Sequence, residues 1–165
     1  MNYLGIDKSS ISNGPGVRVV LWVSGCQIHC KGCQNPESWD FCAGKPFNEE
    51  SKKELFNALD KSYIRGITIS GGNPLDQSHD IFLLINEIQE KFPNKDIWLY
   101  SGYTYEEICK SKEMFKVVSN IDILVDGPYI EGQRDITLKF RGSKNQRLID
   151  IKETLKQNKI VTIQN

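Results

Sequence analysis

A chain of 165 residues is long enough to bury a core of its own and short enough to be a single domain, expected to span residues 1–165. Apolar residues make up 39 % and charged residues 25 %, with 21 Lys and Arg against 21 Asp and Glu, which is a globular composition with no global field to gather nucleic acid or an anionic membrane. No apolar run approaches a bilayer span, and the first residues lack the basic and apolar regions of a secretory signal, so the five cysteines are expected to be reduced thiols in the cytoplasm.

Taken in order, residues 3–6 form a short apolar stretch and 7–13 a polar loop. Gly14, Pro15 and Gly16 make a turn, with proline fixing φ and the glycines tolerating what other residues cannot. Residues 18–24, Arg-Val-Val-Leu-Trp-Val-Ser, read as a strand buried on both faces, as in a parallel sheet. That strand delivers Gly25-Cys26-Gln27-Ile28-His29-Cys30-Lys31-Gly32-Cys33 at its C-terminal end, the edge where α/β folds build sites.

Cys26, Cys30 and Cys33 bring three thiols into one loop, and thiolates are soft donors suited to iron–sulfur clusters and zinc. A cubane cluster usually takes four cysteines, so three would leave one iron open to a small molecule. A structural zinc site would want a closed tetrahedral set, with His29 or Cys42 as fourth ligand, although structural zinc motifs usually show two separated ligand pairs. A disulfide framework meets an odd cysteine count. Cys42 and Cys109 lie outside the triplet and read as small buried apolar side chains. Trp39 and Phe41 read as a hydrophobic cap over the loop.

Further on, 49–61 has the spacing of a helix through Leu55, Phe56 and Leu59. Residues 66–70 form a strand ending in Gly71-Gly72-Asn73-Pro74, where two glycines permit a tight turn and close backbone approach to a ligand. Residues 76–92 are a helix with Ile81, Leu84, Ile85 and Ile88 on one face, and His79 near its start is a surface or capping residue. Strand 96–100, a short helix over 105–112 and strand 121–125 follow, and this alternation predicts a mostly parallel sheet. Ser70, Ser101 and Asp126, each followed by glycine at a strand end, are expected to line one cavity beside the cysteine loop, with Tyr103 near it. Residues 131–147 are basic and polar, and read as a loop or hairpin projecting from the sheet, either a solvated surface or a docking surface. Residues 148–155 pass into a short helix, and 160–163 give a last strand at an edge.

The C-x-x-x-C-x-x-C spacing after a β-rich run resembles the radical S-adenosylmethionine (AdoMet) enzymes, and within them the activating enzymes of anaerobic ribonucleoside-triphosphate reductase. The resemblance covers nearly the whole chain, because Asn13-Gly14-Pro15-Gly16, the cysteine loop, Ser70-Gly71-Gly72-Asn73-Pro74-Leu75, Gly102-Tyr103-Thr104, Val125-Asp126-Gly127-Pro128 and Arg141-Gly142-Ser143 match in order. It implies an α/β fold, a partial (βα) barrel of mostly parallel strands of the radical-AdoMet type. It implies a [4Fe-4S] cluster on Cys26, Cys30 and Cys33, with S-adenosyl-L-methionine at the open iron. AdoMet would be held by backbone near Gly32 and Gln34, and by Gly71, Gly72, Asn73 and Pro74. Asn73 replaces the family's usual carboxylate here. Its amide oxygen can still accept from the methionyl ammonium, with a weaker charge-assisted contact. The implied partners are the large subunit of the reductase, whose glycine would lose a hydrogen atom, and a flavodoxin-type electron donor, with no nucleic acid and no membrane. Rival readings are a radical AdoMet enzyme acting on a small molecule, such as a 7-carboxy-7-deazaguanine synthase, a pyruvate formate-lyase activating enzyme, and a non-catalytic zinc-binding module.

Overall fold

The structure is a computed structural model and describes residues 1–163. The strand that leads into the cysteine loop is β2 (Val17–Val23), with five of its seven residues buried. It pairs in parallel with β4 (Ile64–Gly71), which pairs in parallel with β5 (Asp96–Tyr100), and β5 in turn with β6 (Ile123–Asp126). Three antiparallel strands complete the sheet: β1 (Asn2–Ser10) beside β2, the two-residue β3 (Lys45–Pro46) beside β1, and β7 (Arg147–Asp150) beside β6. The order is β3-β1-β2-β4-β5-β6-β7, a single mixed sheet of seven strands that is parallel in the middle.

Alternation along the strands sorts side chains to two faces. Val19, Leu21, Ile67, Ile69, Ile97 and Leu99 point to one and bury against the apolar stripes of helices α1 (Glu49–Leu59) and α2 (Ser78–Lys91). Asn48 caps α1, its side chain accepting from the Ser51 N–H at 3.0 Å. The other face carries Arg18, Thr68, Trp98 and Val125. The Arg18 side chain is fully buried there, donating to Thr68 Oγ1 and the Ile67 carbonyl, lying 5.4 Å from the Trp98 ring centroid and pairing with Asp96 at 2.5 Å. Burial pushes its pKa down while Asp96 opposes the shift.

Five expectations need correction. The polar loop over 7–13 is strand as far as Ser10, because pairing with β2 uses backbone groups and leaves the exposed Lys8 side chain to pair with Glu54. The helix over 105–112 is two helices, α3 (Tyr105–Ile108), closed by a Thr104/Glu107 capping box, and α4 (Lys112–Val118), capped by Ser111 and anchored by Val117 and Val118. The segment before α5 (Ile151–Gln157) contains β7, whose Leu148 and Ile149 are fully buried. Residues 131–147 form the expected hairpin, with Arg134 bridging Ser143 and 131–134 exposed, but the second arm does not project. Phe140 packs edge-on against Trp98, with 5.6 Å between ring centroids, and its carbonyl accepts the Tyr100 hydroxyl, so the segment folds back onto the inner face of the sheet. The expected strand at 160–163 reduces to one bridge, Ile149 with Thr162.

Candidate functional site

Because β2, β4, β5 and β6 run in parallel, their C-terminal ends meet at one edge, and the chain leaves each strand there through a short turn. A cavity of about 250 Å³ opens at that edge. Cys26, Cys30 and Cys33 line it from the loop after β2, Gly71 from the end of β4 with Gly72 and Asn73 from the turn that follows, Ser101 and Gly102 from the turn after β5, and Gly127 and Tyr129 from the segment after β6.

The cysteine loop is fastened at both ends. Gly25 leaves β2 at φ +101, a conformation that favours glycine, and an added Cβ would collide with the Phe41 ring. The Gly25 and Cys26 amides donate to the carbonyls of Ser38 and Trp39 at 2.7 and 3.1 Å. On the other side the turn after β4 grips the same segment: Gly72 donates to Val23, and Asn73 to Gly25, both at 2.8 Å. A Cβ on Gly72 would strike the Gly25 carbonyl, which is why two backbones can run this close. Asp76 accepts from the Gln27 amide at 2.8 Å and from the Tyr103 hydroxyl at 2.7 Å, and the Gln77 amide donates to the Ser24 carbonyl. Burial, then the Asp76 carboxylate, push the Tyr103 hydroxyl to a higher pKa. Inside the loop, Cys33 closes a turn onto the Cys30 carbonyl at 3.1 Å, and the Asn35 amide donates to Cys33 Sγ at 3.4 Å. Burial pushes the Cys30 thiol up, with a hydrogen bond from the Tyr129 backbone opposing the shift.

Of the other residues expected at the cofactor, Gln34 lines the cavity, whereas Gly32 and Pro74 do not. Gly32, at φ +74, lets the loop pass close to the Glu131 carboxylate, and Pro74 is buried at the start of a 3-10 turn over Pro74–Gln77. Asn73 is almost wholly buried; its Oδ1 accepts the Ser101 hydroxyl at 3.0 Å, and its Nδ2 has no partner among the described residues. Ser101 thus belongs to the cavity, and Tyr103 and Asp126 stand outside it. Asp126 is buried under Arg147, which approaches to 2.6 Å, and also accepts the Tyr105 amide, so its carboxylate is committed to the fold.

Cys42 and Cys109 are exposed, contrary to expectation. Cys42 sits in a surface turn where its amide donates to Asp40, and Cys109 caps the end of α3, positions fixed by backbone bonds and not by side-chain burial. His79 is exposed, as expected of a surface residue. The His29 ring stacks on Trp39 at 4.4 Å, so Trp39 covers the loop as an aromatic cap. Asp76, Gln77, Tyr129 and Gln146 carried no local sequence signal, since each reaches the site through a contact distant along the chain.

Among the described residues, no three His, Cys, Asp or Glu side chains converge to hold a single ion. A tetrahedral zinc site needs donors gathered within about 2.0–2.3 Å of one centre. A cubane spreads its thiolates over separate irons, and three soft donors around one partly buried cavity fit that group.

A family model described as a 4Fe-4S single cluster domain matches residues 12–149, so the chain belongs to a class of proteins built around one iron–sulfur cluster. The chain is 43 % identical over 152 residues to the anaerobic ribonucleoside-triphosphate reductase-activating protein of Enterobacteria phage T4, covering 90 % of this chain and 93 % of that one. Proteins of the same name from Escherichia coli K12 and Pasteurella multocida Pm70 are 39 % and 37 % identical, each over 88 % of this chain and 96 % and 95 % of their own. The chain belongs to the family of anaerobic ribonucleoside-triphosphate reductase-activating proteins.

Proposed function

We propose that the chain is a radical AdoMet activating enzyme, a single incomplete barrel in which Cys26, Cys30 and Cys33 bind a [4Fe-4S] cluster and the cavity beside them binds S-adenosyl-L-methionine. The observation that carries this reading is that three thiols and the Gly71-Gly72-Asn73 turn open on one cavity at the C-terminal edge of four parallel strands. When bound, the cluster and AdoMet supply one-electron cleavage of a sulfonium C–S bond and a radical that takes a hydrogen atom from a glycine of the reductase large subunit, the electron coming from a flavodoxin-type donor.

The chain's own residues bind and orient. Cys26, Cys30 and Cys33 would hold the cluster as thiolates and would leave its fourth iron for AdoMet. Gly71 and Gly72 bring backbone within reach of the ligand, and Gln34 bounds it from the loop side. Asn73 suits an amino-acid head group: its oxygen keeps a lone pair for an ammonium beyond the Ser101 bond, and its unpartnered N–H suits a carboxylate. Gly32 and Pro74 shape this wall from behind.

A second cavity shares Asn13, Gln34, Tyr100 and Gly142 with the first and is bordered by Ile136, whose side chain is 83 % exposed. A site whose rim continues into an exposed second cavity suits a protruding segment of another protein better than an enclosed small molecule.

Anaerobic reconstitution followed by iron and sulfide analysis tests the reading. The expected result is a brown protein with about four irons per chain that cleaves AdoMet under reduction. Mixed with reductase and AdoMet, it should yield a glycyl-radical doublet in electron paramagnetic resonance. Colourless protein carrying stoichiometric zinc would overturn it.

A further inference from the structure

Trp39 is tied to the cysteine loop at two points. Its carbonyl accepts the Cys26 amide at 3.1 Å, and its ring stacks on His29, the neighbour of Cys30, with 11° between the planes. His29 is held at φ +53, a conformation uncommon outside glycine, so the stack is part of how the loop is set. Trp39 lines the cavity with the three thiols, yet its indole Nε1–H is buried and meets no acceptor among the described residues. Buried indole N–H groups normally find a partner, and this one can only donate. The soft acceptors on the same cavity are the sulfurs of Cys26, Cys30 and Cys33.

We propose that the Trp39 Nε1–H donates a hydrogen bond to a sulfur of the cluster site, either a cysteine thiolate or a bridging sulfide, and thereby sets how readily the cluster accepts its electron. This rests on the reading of the site given above. Hydrogen bonds to cluster sulfurs favour the more negative, reduced state, so the donor raises the reduction potential. No proton moves; one electron arrives from the donor protein and the hydrogen bond tightens. Asn73 Nδ2, the other unpartnered donor among the described residues on this cavity, sits in the turn after β4 and is left for the AdoMet head group.

Trp39→Phe keeps a ring to stack on His29 and removes only the donor edge. The reconstituted variant is expected to carry the wild-type iron content and to bind AdoMet with unchanged affinity. Its one-electron reduction equilibrium should shift against the reduced cluster by about three- to tenfold, tenfold corresponding to about 59 mV. A full cluster with an unchanged potential overturns the inference and leaves the function standing. So does an unchanged potential with weakened AdoMet binding, which would assign the N–H to AdoMet. If Trp39→Phe does not load, wild-type protein and Trp22→Phe labelled with ¹⁵N in the indole decide: electron–nuclear double resonance on the reduced cluster should show a ¹⁵N coupling in both, and its absence overturns the inference. A wild-type chain that assembles no cluster overturns both inference and function.

Discussion

Cys26, Cys30 and Cys33 differ from Cys42 and Cys109 in what surrounds them: the first three share a cavity wall, and the last two face solvent on separate turns. Replacing any of the triplet with alanine should abolish iron binding and AdoMet cleavage, while Cys42→Ala and Cys109→Ala keep both; loss of iron in Cys42→Ala equal to that in Cys30→Ala would show a four-cysteine site. Asn73 offers a sharper test because the amide is almost fully buried with one hydrogen bond to its oxygen. Asn73→Asp restores a carboxylate, so AdoMet cleavage should persist. The same burial disfavours the charged form and raises the new group's folded pKa above the unfolded value of about 3.9. The penalty is therefore absent below that pH, grows as pH rises towards the folded pKa, and is constant beyond it. Urea unfolding of variant and wild type at pH 4 and pH 7 should show the stability gap widening at the higher pH.

Between strands, the turn over Pro74–Gln77 acts as a clamp on the cysteine loop. Asp76 holds Gln27, the residue after the first cysteine, and also fixes Tyr103. Asp76→Ala leaves the Gln27 amide and Tyr103 hydroxyl without that acceptor, so iron transfer to a chelator should quicken severalfold while the loaded protein still forms; an unchanged release rate would mean the loop holds its shape alone. Arg18 performs a corresponding task at the opposite end of β2, where its guanidinium cross-links β4 and β5. Arg18→Met removes one partner of a buried ion pair, a change that typically costs about 3–5 kcal/mol. Arg65 also reaches Asp96, at 3.3 Å, so the loss should fall near the lower end in denaturant unfolding.

Across the whole molecule, the cysteine loop is stitched to β2, to the turn after β4 and to the segment at Ser38 and Trp39, so ligand bound there should stabilise much of the sheet. Binding confined to the folded state adds about 2.7 kcal/mol at a hundredfold excess over the dissociation constant. Loaded protein should accordingly unfold at a higher urea concentration than apoprotein under anaerobic conditions; coincident curves would show a loop that is mechanically separate from the core.

Strands β2, β4 and β5, helices α1 and α2, the cysteine loop and the Gly71-Gly72-Asn73-Pro74 turn were all legible in the sequence, because apolar period, turn chemistry and thiol spacing are written in near neighbours. What tertiary structure alone decided was where partners distant in the chain meet. Asp126, a plausible ligand contact by its place at a strand end, is taken by Arg147 across the β6–β7 pair. Asn73 reaches Ser101, and Asp76 reaches Gln27, across 28 and 49 positions. Phe140 turns a basic segment back onto Trp98 and Tyr100. The sequence by itself determined which residues could do chemistry and at which edge of the sheet. Packing determined which of them kept a free polar group there, because a side chain's last hydrogen bond depends on neighbours that only folding supplies.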